Sequence, residues 1–452
     1  MRYQQAIDYL ESLMPTQLSP GLERLEAFLS AHNNPQDKPF NIHVAGTNGK
    51  GSVVTIVEEC LRRAGILTGR YTGPHLLNWT ERIQTNGQEI SEIDFANLLD
   101  SLKSSSERFS YENAGTSMLT WFELITAMAF FYFQKQNIHT AVLEVGLGGR
   151  WDATNTIHTA SVSAIVSVGL DHMQILGDTI GAIAAEKAEI IKDAVPAVTG
   201  CTGEALQVIR EVSLARKAPL LSVRKTDEHS FEICGATGLA GETELAKLAD
   251  DRLRQIGLHE RQLKLGYQQH NALIAAVVLA VYENRTGLKC LEHFIEAIEN
   301  FFWPGRLQYF PSQRLLLDGA HNEAGAIALR STLDELFPNK KINFILSFYR
   351  TKQFEKILSA FLHPGDRVWA SQAGGRRAVI SSEEIAKAAS ALSVPSHTFP
   401  SIERALEAAL SSANDEYLSV ATGSFASVAA GLKFLGYQSV EASRSASTPL
   451  FV

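Results

Sequence analysis

Short apolar runs, rich in β-branched residues, alternate with longer segments of helical spacing along almost the whole chain. The pattern predicts buried strands at 41–45, 140–145 and 161–168, with helices at 52–64 and 180–192. Further strands are predicted at 315–318, 343–347, 367–371 and 417–421, each followed by a helical stretch. Such alternation implies an α/β protein with mostly parallel sheets. Parallel strands present their C-terminal ends to one crevice, so the strand-to-helix loops are where chemistry is expected. Trp303-Pro304-Gly305-Arg306 interrupts the series, and a second set of strand–helix units follows it. Two domains are expected, 1–303 and 304–452. The Ser- and Ala-rich tail after Gln438 is expected to be mobile.

Composition narrows the classes. The chain has 452 residues, 45% hydrophobic, 20% charged and 8% aromatic, enough to bury more than one core. Lys plus Arg number 41 against 49 Asp plus Glu, a formal charge of −8. That excludes a broad basic surface and argues against a general nucleic-acid binder, so no nucleic-acid partner is expected. Cys60, Cys201, Cys234 and Cys290 are scattered without a Cys-x-x-Cys pair, which argues against a disulfide framework or structural zinc. The most apolar stretch, 118–133, is broken by Glu123 and is shorter than the roughly 20 residues a membrane span needs. A soluble cytoplasmic protein with no membrane partner is expected.

Chemistry concentrates at the predicted loops. Gly46-Thr47-Asn48-Gly49-Lys50-Gly51-Ser52 lies between a strand and a helix. Glycines let backbone N–H groups curl around phosphate oxygens, and the helix N-terminus and Lys50 add positive charge. Ser52 is placed to offer a hydroxyl to a phosphate-bound magnesium. The usual phosphate loop has Ser or Thr directly after Gly-Lys; here Gly51 intervenes. Glu144 ends a strand of otherwise apolar residues, just before Gly146-Leu147-Gly148-Gly149-Arg150. A carboxylate there needs a cation, either a metal or a salt-bridge partner. Tyr71-Thr72-Gly73-Pro74-His75-Leu76 and Thr80-Glu81-Arg82-Ile83 follow another strand, and Gly169-Leu170-Asp171-His172 a third. Trp121 and Phe122 open a helix and fit either a core or the face of a flat heterocycle.

The altered glycine loop resembles that of the Mur ligase superfamily, in particular its folylpolyglutamate synthase and dihydrofolate synthase branch. The later segments resemble the same family in the same order. They include Glu144 to Asn155, Asp171-His172, Glu186-Lys187-Ala188, Leu265 to Ala272, Pro304-Gly305-Arg306 and Leu317-Asp318-Gly319-Ala320-His321-Asn322. There are departures. Gly73 stands where the family has a magnesium-holding Ser, Tyr267 where His is common, and Ser347 to Lys352 lacks the usual acidic-basic cluster.

The resemblance implies a Mur-ligase-like fold: an N-terminal P-loop ATPase domain with a mostly parallel sheet and a smaller C-terminal Rossmann-like α/β domain. It implies that Gly46 to Ser52, Asn271, Arg306 and Asp318 bind ATP. One or two Mg²⁺ ions would be held by Ser52, Glu144, His172 and a carbamylated Lys187. Lys50, Lys187 and His321 would be catalytic. Ser12, Leu13, Met14, Pro15, Trp121, Phe122, Trp151, Asp152 and Ala153 would line the pteroate or folate site. The activity implied is ATP-dependent addition of L-glutamate to dihydropteroate, to a folate γ-carboxylate, or to both, by a monomer. Two alternatives stand beside it: a Mur-type ligase acting on a UDP-sugar peptide, and a non-catalytic ATP-binding module.

Overall fold

The computed structural model describes residues 1–14, 21–112, 118–226, 230–261, 265–350, 352–374, 378–412 and 414–449. Two sheets organise them. The first contains β1 (Phe40–Ala45), β2 (Thr68–Tyr71), β3 (Ile83–Thr85), β4 (Gln88–Glu89), β5 (Thr140–Glu144), β6 (Val162–Ile165), β7 (Ala197–Thr199), β8 (Leu220–Lys225) and β9 (Phe231–Gly235). Their order is β4-β3-β2-β5-β1-β6-β7-β8-β9. The six strands from β2 to β8 run parallel, and the antiparallel strands cap the two edges. β1 lies in the middle with β5 on one side and β6 on the other. This is the switch point at which an open parallel sheet leaves a crevice. Both neighbours are buried on both faces, which is why the sequence shows unbroken apolar runs there.

The second sheet contains β10 (Gln308–Phe310), β11 (Leu315–Leu317), β12 (Lys341–Leu346), β13 (Arg367–Ala370), β14 (Ser396–Thr398), β15 (Tyr417–Thr422) and β16 (Thr448–Pro449). The order is β14-β13-β12-β15-β11-β10-β16, parallel from β14 to β11. β16 corrects the expectation of a mobile tail. It pairs antiparallel with β10, and Gln308 Nε2 donates to Ser443 Oγ at 2.8 Å. The tail supplies an edge strand, so its backbone groups find partners in spite of a polar, small-residue composition.

Helices cover both sheets. The Gln268–Thr286 helix is buried over most of its length and packs against the Lys50–Arg63 helix. It has almost no polar face, as expected of a helix enclosed on all sides. One apolar cluster runs from Ile42, Val54 and Ile274 through Phe301 and Leu307 to Leu316, Leu329 and Phe344. The core is therefore continuous from one sheet to the other. Among the described residues, no helix is long and apolar enough to cross a membrane.

Candidate active site

The chain leaves β1 at Ala45 and re-enters a helix at Lys50, two residues earlier than the apolar spacing predicts. Gly49 caps that helix at φ +83°, where a side chain is strained, and a Cβ there would also collide with Asn271 Oδ1. Gly51 and Ser52 thus sit in the first turn, whose N–H groups have no partner within the helix. The loop is fixed from below. Thr47 N donates to Ser167 O at 2.8 Å, Gly169 N to Thr47 Oγ1 at 3.0 Å, and Ser167 Oγ to Asn48 O at 2.9 Å. Gly51 has Trp303 against it; a Cβ would stand 2.7 Å from the indole ring.

Two ammonium groups converge on one carbonyl. Lys50 Nζ donates to Gly46 O at 3.0 Å and Lys187 Nζ to the same oxygen at 3.1 Å. Burial lowers the Lys50 pKa despite the pull of Glu144 and Asp171. Burial raises that of Glu144 despite Lys50. Desolvation thus outweighs the attraction between this pair, so each gains from a further counter-charge. Lys187 is pushed down to about 7, by burial first and then by the charge of Lys50.

Glu144 accepts one backbone hydrogen bond, from Gly73 N at 3.3 Å. The residue that lacks the family's hydroxyl still meets the carboxylate, through its amide. His172 stands at the lip of the cleft, half exposed, with its pKa lowered to about 4 by desolvation, so its ring is neutral at pH 7. Ser52 is buried in the helix turn. Among the described residues, no three His, Cys, Asp or Glu side chains converge into a ready metal cage. The donors here are a carboxylate with spare lone pairs, a neutral imidazole and a hydroxyl. They suit a hard divalent cation that completes its shell with phosphate oxygens and water.

The C-terminal ends of β11, β12 and β15 face this loop. Asn48 and Asn322 exchange amide hydrogen bonds at 3.0 and 3.1 Å. Asp171, beside His172, gathers Asn322 Nδ2 at 3.0 Å, His321 Nε2 at 3.5 Å and an ion pair with Lys352. Burial raises its pKa, but the hydrogen bond and charge of His321, with Lys352, hold it well below the usual carboxylate range. Burial also lowers the His321 pKa. Asp318 is fully enclosed: Oδ2 accepts from Tyr267 OH at 2.6 Å and Leu307 N at 2.9 Å, and Oδ1 from Ala320 N at 2.8 Å. Arg306 lies over the Phe425 ring at 4.8 Å and against Gly319. Asn271 donates to Gln268 Oε1 at 2.7 Å and faces Gly49.

On the other side of Glu144 lies an aromatic wall. Trp121 packs on Phe122 and edge-on to Trp79, with centroids at 5.4 and 6.0 Å. Arg82 covers both Trp79 and Trp121 and donates from Nε to His75 Nδ1 at 2.9 Å. Glu81 accepts from the amides of Leu76, Leu77 and Asn78, which fixes the loop after Gly73. The Phe122 ring reaches Gly146, where a Cβ would stand 2.5 Å from Cζ. Asp152 and Ala153 are buried beside it. Leu13 packs on the same apolar cluster as Trp121 and Phe122, whereas Ser12 and Met14 are exposed. Trp151 is 52% exposed and stands apart from the wall. Pro15 lies outside the described residues.

Asp171, Asn322 and Lys352 are in the site although the sequence reading gave them no role. Asp171 carried a usable signal, since a second ionisable residue beside His172 at a strand end is costly unless partnered. Lys352 carried none, because its partner lies 181 residues away.

Comparison with known proteins places the chain in one family. Residues 44–278 match the model of the Mur ligase middle domain. Residues 310–428 match that of the dihydrofolate synthetase C-terminal domain. The chain is 34% identical to the dihydrofolate synthase/folylpolyglutamate synthase of Bacillus subtilis, over 79% of this chain and 82% of that protein. It is 31% identical to the folylpolyglutamate synthase of Lacticaseibacillus casei, over 80% and 84%. E. coli FolC in complex with DHPP and ADP superposes with a TM-score of 0.81 at 27% identity, over 96% of this chain and 98% of that one. The bifunctional enzyme of Yersinia pestis with AMPPNP and a manganese ion gives 0.80 at 27% identity, over 97% and 98%.

Proposed function

The chain belongs to the folylpolyglutamate synthase/dihydrofolate synthase family, and from that premise we propose that it ligates L-glutamate to dihydropteroate and to the γ-carboxylate of a folate, using ATP. The observation that carries this reading is the juxtaposition in one crevice of the Gly46–Ser52 loop, Glu144 and the Trp121–Phe122 wall, with His321 and Asp171 facing them.

A carboxylate is a poor electrophile because its charge repels a nucleophile and oxide is a poor leaving group. Phosphorylation by ATP gives an acyl phosphate, which the glutamate amine attacks as phosphate leaves. Catalysis is then mainly positioning and charge stabilisation. The Gly46–Ser52 amides and Lys50 cradle the phosphates and spread the γ-phosphoryl charge. Asn271, Arg306 and Asp318 close the nucleotide site. Glu144, His172, Ser52 and Lys187, the last as its carbamate, would hold a divalent cation, which would supply Lewis-acid stabilisation of phosphate charge. Trp121 and Phe122, with Ala153 and Leu13 nearby, offer apolar faces to the pterin. His321 meets the incoming amino acid. Lobes 1–303 and 304–452 closing on each other exclude water, which protects the acyl phosphate. A monomer in the cytoplasm suffices for this chemistry.

Purified protein is expected to release ADP only when glutamate and either dihydropteroate or tetrahydrofolate are both present, with mass spectrometry showing one added glutamate per turnover. Lys50→Ala is expected to abolish the release. Turnover with a UDP-sugar peptide and not with pteroates would overturn the acceptor, and nucleotide binding without any acceptor-dependent turnover would overturn the ligase.

A further inference from the structure

A buried histidine that the mechanism above does not use is joined to the crevice by two hydrogen bonds. His43 is on β1, with its side chain fully enclosed. Its Nε2 lies 2.8 Å from Thr154 Oγ1, and Thr154 Oγ1 lies 2.6 Å from Asp152 Oδ1. Thr154 N donates to the same carboxylate oxygen at 3.0 Å, and Leu147 N donates to Oδ2 at 2.8 Å. His43 Nδ1 is buried and has no hydrogen-bond partner.

These contacts admit one low-cost arrangement of protons. Threonine has a single hydroxyl proton. If the Asp152 carboxylate is ionised, that proton lies toward Oδ1, and Thr154 Oγ1 must accept from His43 Nε2–H. Nδ1 is then a bare nitrogen, and no buried N–H is left without an acceptor. Moving the proton onto Asp152 Oδ1 reverses both bonds and places a hydrogen on Nδ1, where nothing receives it, and a proton on Oδ2 would compete with the Leu147 N–H that this oxygen accepts. A buried unpaired donor is costly. The imidazole tautomer therefore favours the ionised, all-acceptor form of Asp152.

The ionised carboxylate is directed at the turn and not at open space. By gripping Leu147 it fixes the turn that follows Glu144, and Gly146 in that turn is the surface on which the Phe122 ring rests. We propose that His43 is a positioning residue for the acceptor site, acting through Thr154 and Asp152 to hold the Gly146–Leu147 turn beneath Phe122. The inference rests on the ligase reading above only for its kinetic part.

Thr154→Val keeps the shape of the side chain and removes the hydroxyl that both hydrogen bonds need. It is expected to raise the KM for the pteroate or folate acceptor about ten- to a hundred-fold, the loss of one charge-assisted hydrogen bond. The KM for ATP should stay within about two-fold, because the glycine loop is held by Ser167 and Gly169 instead. Thr154→Ser, which keeps the hydroxyl, should restore acceptor affinity. Nitrogen NMR of the wild-type protein should show a protonated Nε2 and a bare Nδ1 on His43, and Thr154→Val should disturb that tautomer. An unchanged acceptor KM in Thr154→Val, failure of Thr154→Ser to rescue, or a protonated Nδ1 in the wild type would each overturn the relay. If the wild type turns over no pteroate or folate at all, the ligase reading fails instead, and the NMR result still decides the relay.

Discussion

Lys187 shows how far a single residue departs from its ordinary chemistry here. It is buried, donates to Gly46 O, and has its amine pushed down to about 7 from the usual 10.5. An amine must be neutral to attack carbon dioxide, so this environment favours the carbamate. Labelled bicarbonate is expected to give one slowly exchanging carbamate signal that is absent from Lys187→Met, and this variant should lose nearly all turnover. In buffer free of carbon dioxide the same shift sets a pH dependence. Below about pH 7 both folded and unfolded amines are charged. Between about 7 and 10.5 the unfolded chain binds more protons than the folded one, so the contribution of this group to stability rises with pH. Denaturant melts over that window should rise less steeply for Lys187→Met. The sequence offers Lys187 only as a residue of a family motif. Its burial depends on Gly46 and Lys50, more than a hundred positions away, and no local pattern reports that. The same is true of Tyr267, which looks like a departure from the family's usual His. Its hydroxyl donates to Asp318 across 51 positions of sequence.

At the scale of elements, local pattern and structure agree where the chemistry of the turn is local. The strand–glycine–helix succession at 40–63 is legible because Gly49 must take a left-handed conformation and Lys50 must follow it. The Thr120 cap of the Trp121–Lys135 helix is equally readable, with Glu123 returning the bond in a capping box. Apolar spacing begins only at Val53 and so predicts a helix from residue 52, whereas the Gly49 cap starts it at Lys50. Composition cannot report that the tail finds the outer edge of β10, whose inner edge pairs with β11. Gly51 is a case where tertiary contact overrides propensity. Alanine is the better helix former, yet its Cβ would press on Trp303. Gly51→Ala is expected to weaken ATP binding about ten-fold by calorimetry, an overpacking effect of about 1–3 kcal/mol. Adding Trp303→Leu should recover most of that loss, and a double mutant no better than Gly51→Ala would rule out overpacking against Trp303 as the cause.

At the scale of the molecule, two mostly parallel sheets follow from the alternation of strands and helices. What joins them does not. Asp171 receives His321, Asn322 and Lys352 from the opposite sheet, a convergence visible only once the chain is folded. Asp171→Ala removes the acceptor for all three. Hydrogen exchange is expected to speed up in the segments around Asn322 and Lys352, with small-angle scattering showing a more open particle. Unchanged exchange there would mean that Asn48 and Asn322 hold the crevice by themselves. The continuous apolar cluster beneath that crevice has a mechanical consequence. A wide swing about residue 303 would wet side chains from both sheets, at about 2.5 kcal/mol for each 100 Å² uncovered. Sliding one layer of side chains over another keeps them dry. The low-cost motion is thus a shear pivoting on the shared core, with the polar rim at Asp171 as its moving edge. The enzyme is built less like a hinged box than like two greased plates, whose rims slide past each other where the substrates enter while the contact between them stays dry.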